Sequence, residues 1–230
     1  MDYEKIIEKF ESLYNKRNVE GMARYGITAD KAYGISAPVL KSMAKEIGKN
    51  HVLAIKLWGS GIHDARALAI FIEDPGKVTE TQMDKWVCDF DNWAVCDGTC
   101  LHLFRKMDFV YKKINEYVLS DKEFVKRAGF TLIAVMAVHD KEANDETFIT
   151  YLNVIKAGAS DERNYVKKAV NWALRQIGKR NMNLNKYAVK TAVDIKKIDS
   201  KAPKWIASDA LRELKSEMVQ KRLEEKSKRR

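Results

Sequence analysis

Apolar and polar positions along the chain alternate with the three-to-four-residue spacing of amphipathic helices. No stretch shows the sustained period-two alternation that would mark a sheet. Asp2 is placed to cap a helix running through Lys16, Ser36 one running to Ile47 with Gly48 as its stop, and Thr79 another that opens with Glu80 and Gln82. Further helical patterns cover roughly 63–72, 92–105, 108–118, 122–138, 145–157, 162–179, 184–197 and 202–224. The three prolines, Pro38, Pro75 and Pro203, fall just before or inside the first turn of such a segment, where a helix tolerates them. Helices of this length joined by short polar links predict antiparallel pairs.

The pairs repeat. Windows starting at His63, Trp93, Glu123, Asn164 and Pro203 each carry a polar residue, then a small one, then an apolar helical stripe. Aligned on the small residue, Arg66–Ala67, Asp97–Gly98, Arg127–Ala128, Lys168–Ala169 and Ala207–Ser208 correspond, at intervals of 31, 30, 41 and 39 residues. A two-helix unit recurring at that interval predicts an all-α solenoid of stacked antiparallel helix pairs, with residues 1–230 as one domain. The small residues are expected to let successive second helices pack closely.

In a solenoid, equivalent positions of the inner helices line one concave wall. Here that line reads Arg66, Asp97, Arg127, Lys168: three cations in register, a match for a phosphate backbone, and one carboxylate. Trp93 precedes Asp97 by four residues and so shares its helical face; Trp172 follows Lys168 by the same spacing. Taken singly, each residue has a structural account: Asp97 pairing with Arg66 or Arg127, and the two tryptophans packing between repeats. Together they place an acid between two indoles in a basic groove, where it would oppose a positive charge. Such a charge builds on deoxyribose as the glycosidic bond of an alkylated, cationic purine breaks. Loss of that base by hydrolysis is the chemistry expected, with Asp97 stabilising the oxocarbenium-like state or orienting water.

Charge agrees with a polyanionic partner. The formal net charge is +10; the last ten residues contribute +4, leaving +6 over the rest. That tail, about 221–230, reads as a solvated helix end. Cys88, Cys96 and Cys100, with no signal-like N-terminus, do not suggest a disulfide framework, and their spacing with His102 lacks the paired short intervals of a zinc site. No phosphate-binding glycine loop is present. The chain is therefore expected to need neither cofactor nor metal, to lack a membrane span, and to act as a cytoplasmic monomer, associated with the nucleoid when on DNA.

Several motifs resemble the AlkD-type DNA alkylation repair family of HEAT-like-repeat glycosylases, from about Met22 to Lys179. They are MARY at Met22–Tyr25, the GI turn at Gly34–Ile35, WAVCD at Trp93–Asp97, FVKRA ending at Ala128 and VNWALR ending at Arg175. The resemblance implies that Trp93 and Asp97 form the catalytic pair, with Arg127 and Trp172 beside them. It further implies that Tyr25 lines the lesion cleft, that Arg175 contacts the DNA backbone, and that N3- and N7-alkylated purines are removed from duplex DNA without a base-flipping pocket. Asn92 stands where the best-known members carry a second aromatic, and Ser36 where they carry a larger amide. The competing readings are a noncatalytic helical-repeat protein for damaged or branched DNA, and a protein-binding scaffold.

Overall fold

A computed structural model describes residues 1–27 and 31–228. All regular structure among them is helical. The chain runs α1 (Tyr3–Ser12), α2 (Lys16–Arg24), α3 (Ala37–Ile47), α4 (His51–Gly59), α5 (His63–Ile72), α6 (Glu80–Cys88), α7 (Trp93–His102), α8 (Val110–Tyr117), α9 (Glu123–His139), α10 (Asp145–Gly158), α11 (Asn164–Gly178), α12 (Met182–Lys196), α13 (Lys201–Leu214) and α14 (Glu217–Lys228). Short 3-10 turns lie at Pro75–Lys77 and Phe104–Lys106. Several starts are set by side-chain caps. Asp2 accepts from the Lys5 amide and Thr79 from that of Gln82, while Asn15, Asn50, Asn92, Asn144 and Asn181 cap the helices that follow them.

The helices gather into two compact units, Met1–Val110 and Tyr111–Arg230. In the first, α3, α5 and α7 follow one another in one layer, and α4 packs behind α5. In the second, α9, α11 and α13 form one layer, with α10 and α12 the other. Each unit thus stacks helix pairs in the manner of an α-solenoid.

The seam between α11 and α13 has a regular register. Lys167 Nζ lies 5.3 Å from the Trp205 ring centre, Asn171 donates to Asp209 at 2.7 Å, and Arg175 donates to Glu213. Each rung spans 38 residues, and successive rungs are one helical turn apart.

Four expectations are corrected. Ser36 precedes α3 but its side chain makes no cap hydrogen bond, and Pro38 fills the first turn. The first helix stops at Ser12 and not Lys16, because Asn15 turns to cap α2 and its own N–H is taken by the Tyr33 carbonyl at 2.8 Å. The segment 202–224 is two helices, broken at Lys215–Ser216. Close approach is not carried by the aligned small residues as a row. Ala128 and Ala169 are buried, but Ser208 is exposed and a Cβ on Gly98 would meet nothing nearer than 3.9 Å. The tight contacts are at Gly129, Gly158 and Gly178, where a Cβ would come within 2.8 Å of Val118, 2.3 Å of Phe130 and 2.6 Å of Leu214.

Candidate nucleic-acid interface and active site

The GI turn anchors the N-terminal part of the site. Asp64, in the first turn of α5 and buried, accepts from the Tyr33 and Ile35 amides at 2.7 and 2.8 Å. Gly34 between them has φ of 73°, and a Cβ there would sit 2.6 Å from the Asn15 carbonyl oxygen, so glycine is required twice over. Asn18 donates to the Gly34 carbonyl at 2.8 Å, which fastens α2 against the turn. A cleft of about 670 Å³ results, with Arg17, Arg24, Tyr25, Gly34, Ile35 and Trp93 among its lining.

Trp93 reaches this cleft from the first position of α7. Its Nε1–H donates to the Tyr25 carbonyl at 2.8 Å, while the Tyr25 side chain stands out from the surface, 72% exposed. The structure therefore brings together two residues that lie 68 positions apart and that the sequence singled out. Asp97 lies one turn further along α7, about 6 Å down the axis, on the same face and half-buried. The cleft lining includes Trp93 and not Asp97.

Asn92 sets the start of α7. Its side-chain oxygen accepts from the Ala94 and Val95 amides at 3.0 Å each. Its Nδ2 bonds Asp91 at 2.6 Å and faces His63 Nδ1 at 3.5 Å. Burial lowers the pKa of His63, against the pull of Asp64 and Asp91, which raise it. A neutral His63 leaves the Asn92 cap undisturbed.

Arg66 does not stand open to a phosphate. It donates to the Asp89 carbonyl at 3.0 Å and pairs with Asp91 at 3.1 Å. Its guanidinium also lies 5.4 Å from the Trp58 ring, which stacks on Trp86 at 3.9 Å. Cation and indoles together tie α5 to α4 and α6.

In the second unit the four expected residues divide. Arg127 is buried in the seam between α9 and α11, donates to the Tyr165 carbonyl at 2.7 Å and lies 6.0 Å from that ring. Where a phosphate contact was expected, the structure gives a tie between helices. Arg175 likewise is held by Glu213 and, at 3.6 Å, by Asp209, so its charge serves α13 in place of an open backbone contact. Lys168 is exposed on α11, and Trp172, one turn on, is half-buried. Arg17 and Arg24 belong to the cleft and were not anticipated; the cluster KRNVEGMAR beside MARY was the available signal.

Among the described residues no group of three or more His, Cys, Asp or Glu side chains could hold a metal ion, and no helix is long and apolar enough to cross a membrane.

A family model described as DNA alkylation repair enzyme matches residues 6–214. The chain belongs to that family. Two curated relatives, uncharacterised proteins of Listeria monocytogenes and Listeria innocua, are 22% and 21% identical to it over 200 residues, covering 85% of this chain and 87% of each relative. A solved structure described as a new family of proteins related to the HEAT-like repeat DNA glycosylases, with affinity for branched DNA structures, matches with a TM-score of 0.79. That match covers 97% of this chain and 96% of the other at 20% identity, and it establishes a shared HEAT-like repeat fold.

Proposed function

We propose that this member of the DNA alkylation repair family is a monofunctional glycosylase that hydrolyses the N-glycosidic bond of N3- or N7-alkylated purines in duplex DNA. The observation that carries the reading is the hydrogen bond from Trp93 to the Tyr25 carbonyl, which pins the N-terminus of α7 at a cleft bearing Arg17 and Arg24. One turn behind that indole sits the carboxylate of Asp97. In the reaction, the cationic purine leaves as a neutral base, taking the bonding pair, and positive charge passes to the sugar. A carboxylate about 4 Å from that charge contributes ~4 kcal/mol at an effective dielectric near 20, about a thousandfold in rate. Asp97 orients the water that adds to the sugar carbon, and the water's proton is shed to it or to solvent. The indole of Trp93 faces the developing cation through its ring quadrupole. On α11, exposed Lys168 supplies a backbone contact and Trp172 an aromatic one, while Arg127 acts by positioning its own helix seam.

Purified protein incubated with N-methylated duplex DNA is expected to release free methylpurines. Asp97→Asn is expected to cut the release rate by at least about 100-fold and to leave DNA affinity equal or tighter. An unchanged release rate in that variant would remove Asp97 from the chemistry.

The structural neighbour's described affinity for branched DNA favours a second reading, a noncatalytic binder of branched or damaged DNA. It separates cleanly: no base release from any methylated substrate, with binding to a four-way junction stronger than to a linear duplex.

A further inference from the structure

Trp205 has no role in the chemistry above, yet it is a large indole left 42% exposed on the first half of α13. It occupies the first rung between α11 and α13 themselves. The next two rungs are closed by polar partners, Asn171 on Asp209 and Arg175 on Glu213. The Lys167–Trp205 rung is closed only by a cation over a ring.

The ground around the indole is cationic. Lys201 is four residues before Trp205 and shares its face; Lys204 adjoins it, and both are exposed, as is Lys168 beside Lys167 on α11. Three carboxylates are near. Asp209, one turn after Trp205 on α13, is engaged by Asn171, Arg175 and Arg212. Glu162 is committed to the start of α13, accepting from the Ser200 hydroxyl and, at 3.0 Å, from the Ala202 amide. Asp199 pairs with Lys204 at 2.5 Å, with both side chains largely in water, where such pairs hold weakly. Four lysines against three engaged carboxylates, Glu162, Asp199 and Asp209, leave the patch with a positive balance around a flat aromatic surface.

We propose that Trp205 is a stacking platform for an unpaired nucleobase of DNA, with Lys167, Lys168, Lys201 and Lys204 holding the phosphates on either side. A base presents a π face whatever its identity, so an indole among lysines suits a single strand read without sequence preference. A duplex offers no free base face along its length. The patch therefore takes single-stranded DNA adjoining a duplex, such as a tail, gap or branch arm. The inference is independent of base excision at Asp97.

The test is fluorescence anisotropy with two labelled probes, a blunt duplex and the same duplex bearing a ten-thymidine single-stranded tail. The wild-type chain is expected to bind the tailed probe about ten-fold more tightly, in line with the effect of losing one stacked base. Trp205→Leu keeps an apolar side chain but cannot stack, and is expected to abolish the difference; Trp205→Phe is expected to retain most of it. Release of methylpurines from blunt duplex should be the same in all three. Equal preference for the tailed probe in Trp205→Leu and Trp205→Phe, or none in the wild type, would overturn the proposal. So would polyglutamate displacing the tailed probe as effectively as oligothymidylate at equal charge, which would make the patch a site for acidic polypeptide.

Discussion

The side chain of Asn92 does two things for the candidate site. It ends the loop before α7 by accepting from two amides, and it thereby fixes where Trp93 and Asp97 point. Its neighbour His63 makes that arrangement sensitive to pH. Burial holds the folded-state pKa of His63 below the ordinary 6.5, so the unfolded chain takes up the proton first as pH falls. Stability is therefore unaffected above about pH 7 and is lost as pH drops below 6.5, at up to about 1.4 kcal/mol per pH unit until the folded form also protonates. The melting temperature of the wild type should fall more than that of His63→Gln between pH 7.5 and 5.5, and parallel curves for the two would show that His63 does not titrate against folding. This window lies well above that of the paired carboxylates. Asp161, for one, is held low mainly by its hydrogen bond from Arg163, and its contribution disappears only below the usual carboxylate range.

At the scale of the element, helix ends carry much of the specificity. Arg180 shows how. The last carbonyls of a helix have no partner within it, and at the end of α9 the Arg180 guanidinium donates to the Ala137 and Asp140 carbonyls at 3.0 and 2.6 Å and to that of Ala143, in the loop before α10, at 2.8 Å, while lying 4.5 Å from the Phe148 ring. Arg180→Met keeps the length and loses the three bonds. A loss of about 2 kcal/mol is expected from thermal or urea unfolding, since carbonyls lose a charged donor; a change within 0.5 kcal/mol would mean that water replaces it without penalty.

Element boundaries were legible where an amphipathic stripe stands out, as at 63–72, which α5 occupies residue for residue although no side chain caps its start. They were not legible at α4, where Leu53, Ala54, Leu57 and Trp58 are buried but Val52 and Ile55 are also apolar and face solvent, so no stripe stands out. Nor were they at α2, which buries no residue at all. The candidate site divides in the same way. Trp93 and Asp97 could be picked out by residue type and spacing, and Tyr25 only through the family resemblance. The engagement of Arg66, Arg127 and Arg175 could not, because their partners lie 23 to 38 positions away and follow from packing alone.

For the molecule as a whole, 42 basic against 32 acidic residues give a net +10, but several cations, Arg66 and Arg175 among them, are committed to partners within the chain. Affinity for DNA should then depend on a small set of exposed cations, such as Lys168 and Lys201. Three or four neutralised phosphates predict a slope near −3 in log affinity against log salt, a roughly 50- to 150-fold loss between 50 and 200 mM. A slope near −8 would mean that the engaged arginines are released on binding. The 38-residue rungs between α11 and α13 constrain how such a chain can vary in length. One residue added before Asp209 inside α13 would swing the rest of that helix by about 100° and part Asp209 and Glu213 from Asn171 and Arg175. The same residue added between Lys196 and Lys201 would be absorbed by the connector. Insertions and deletions among relatives should accordingly collect in connectors of this kind, leaving the spacing within each inner helix intact.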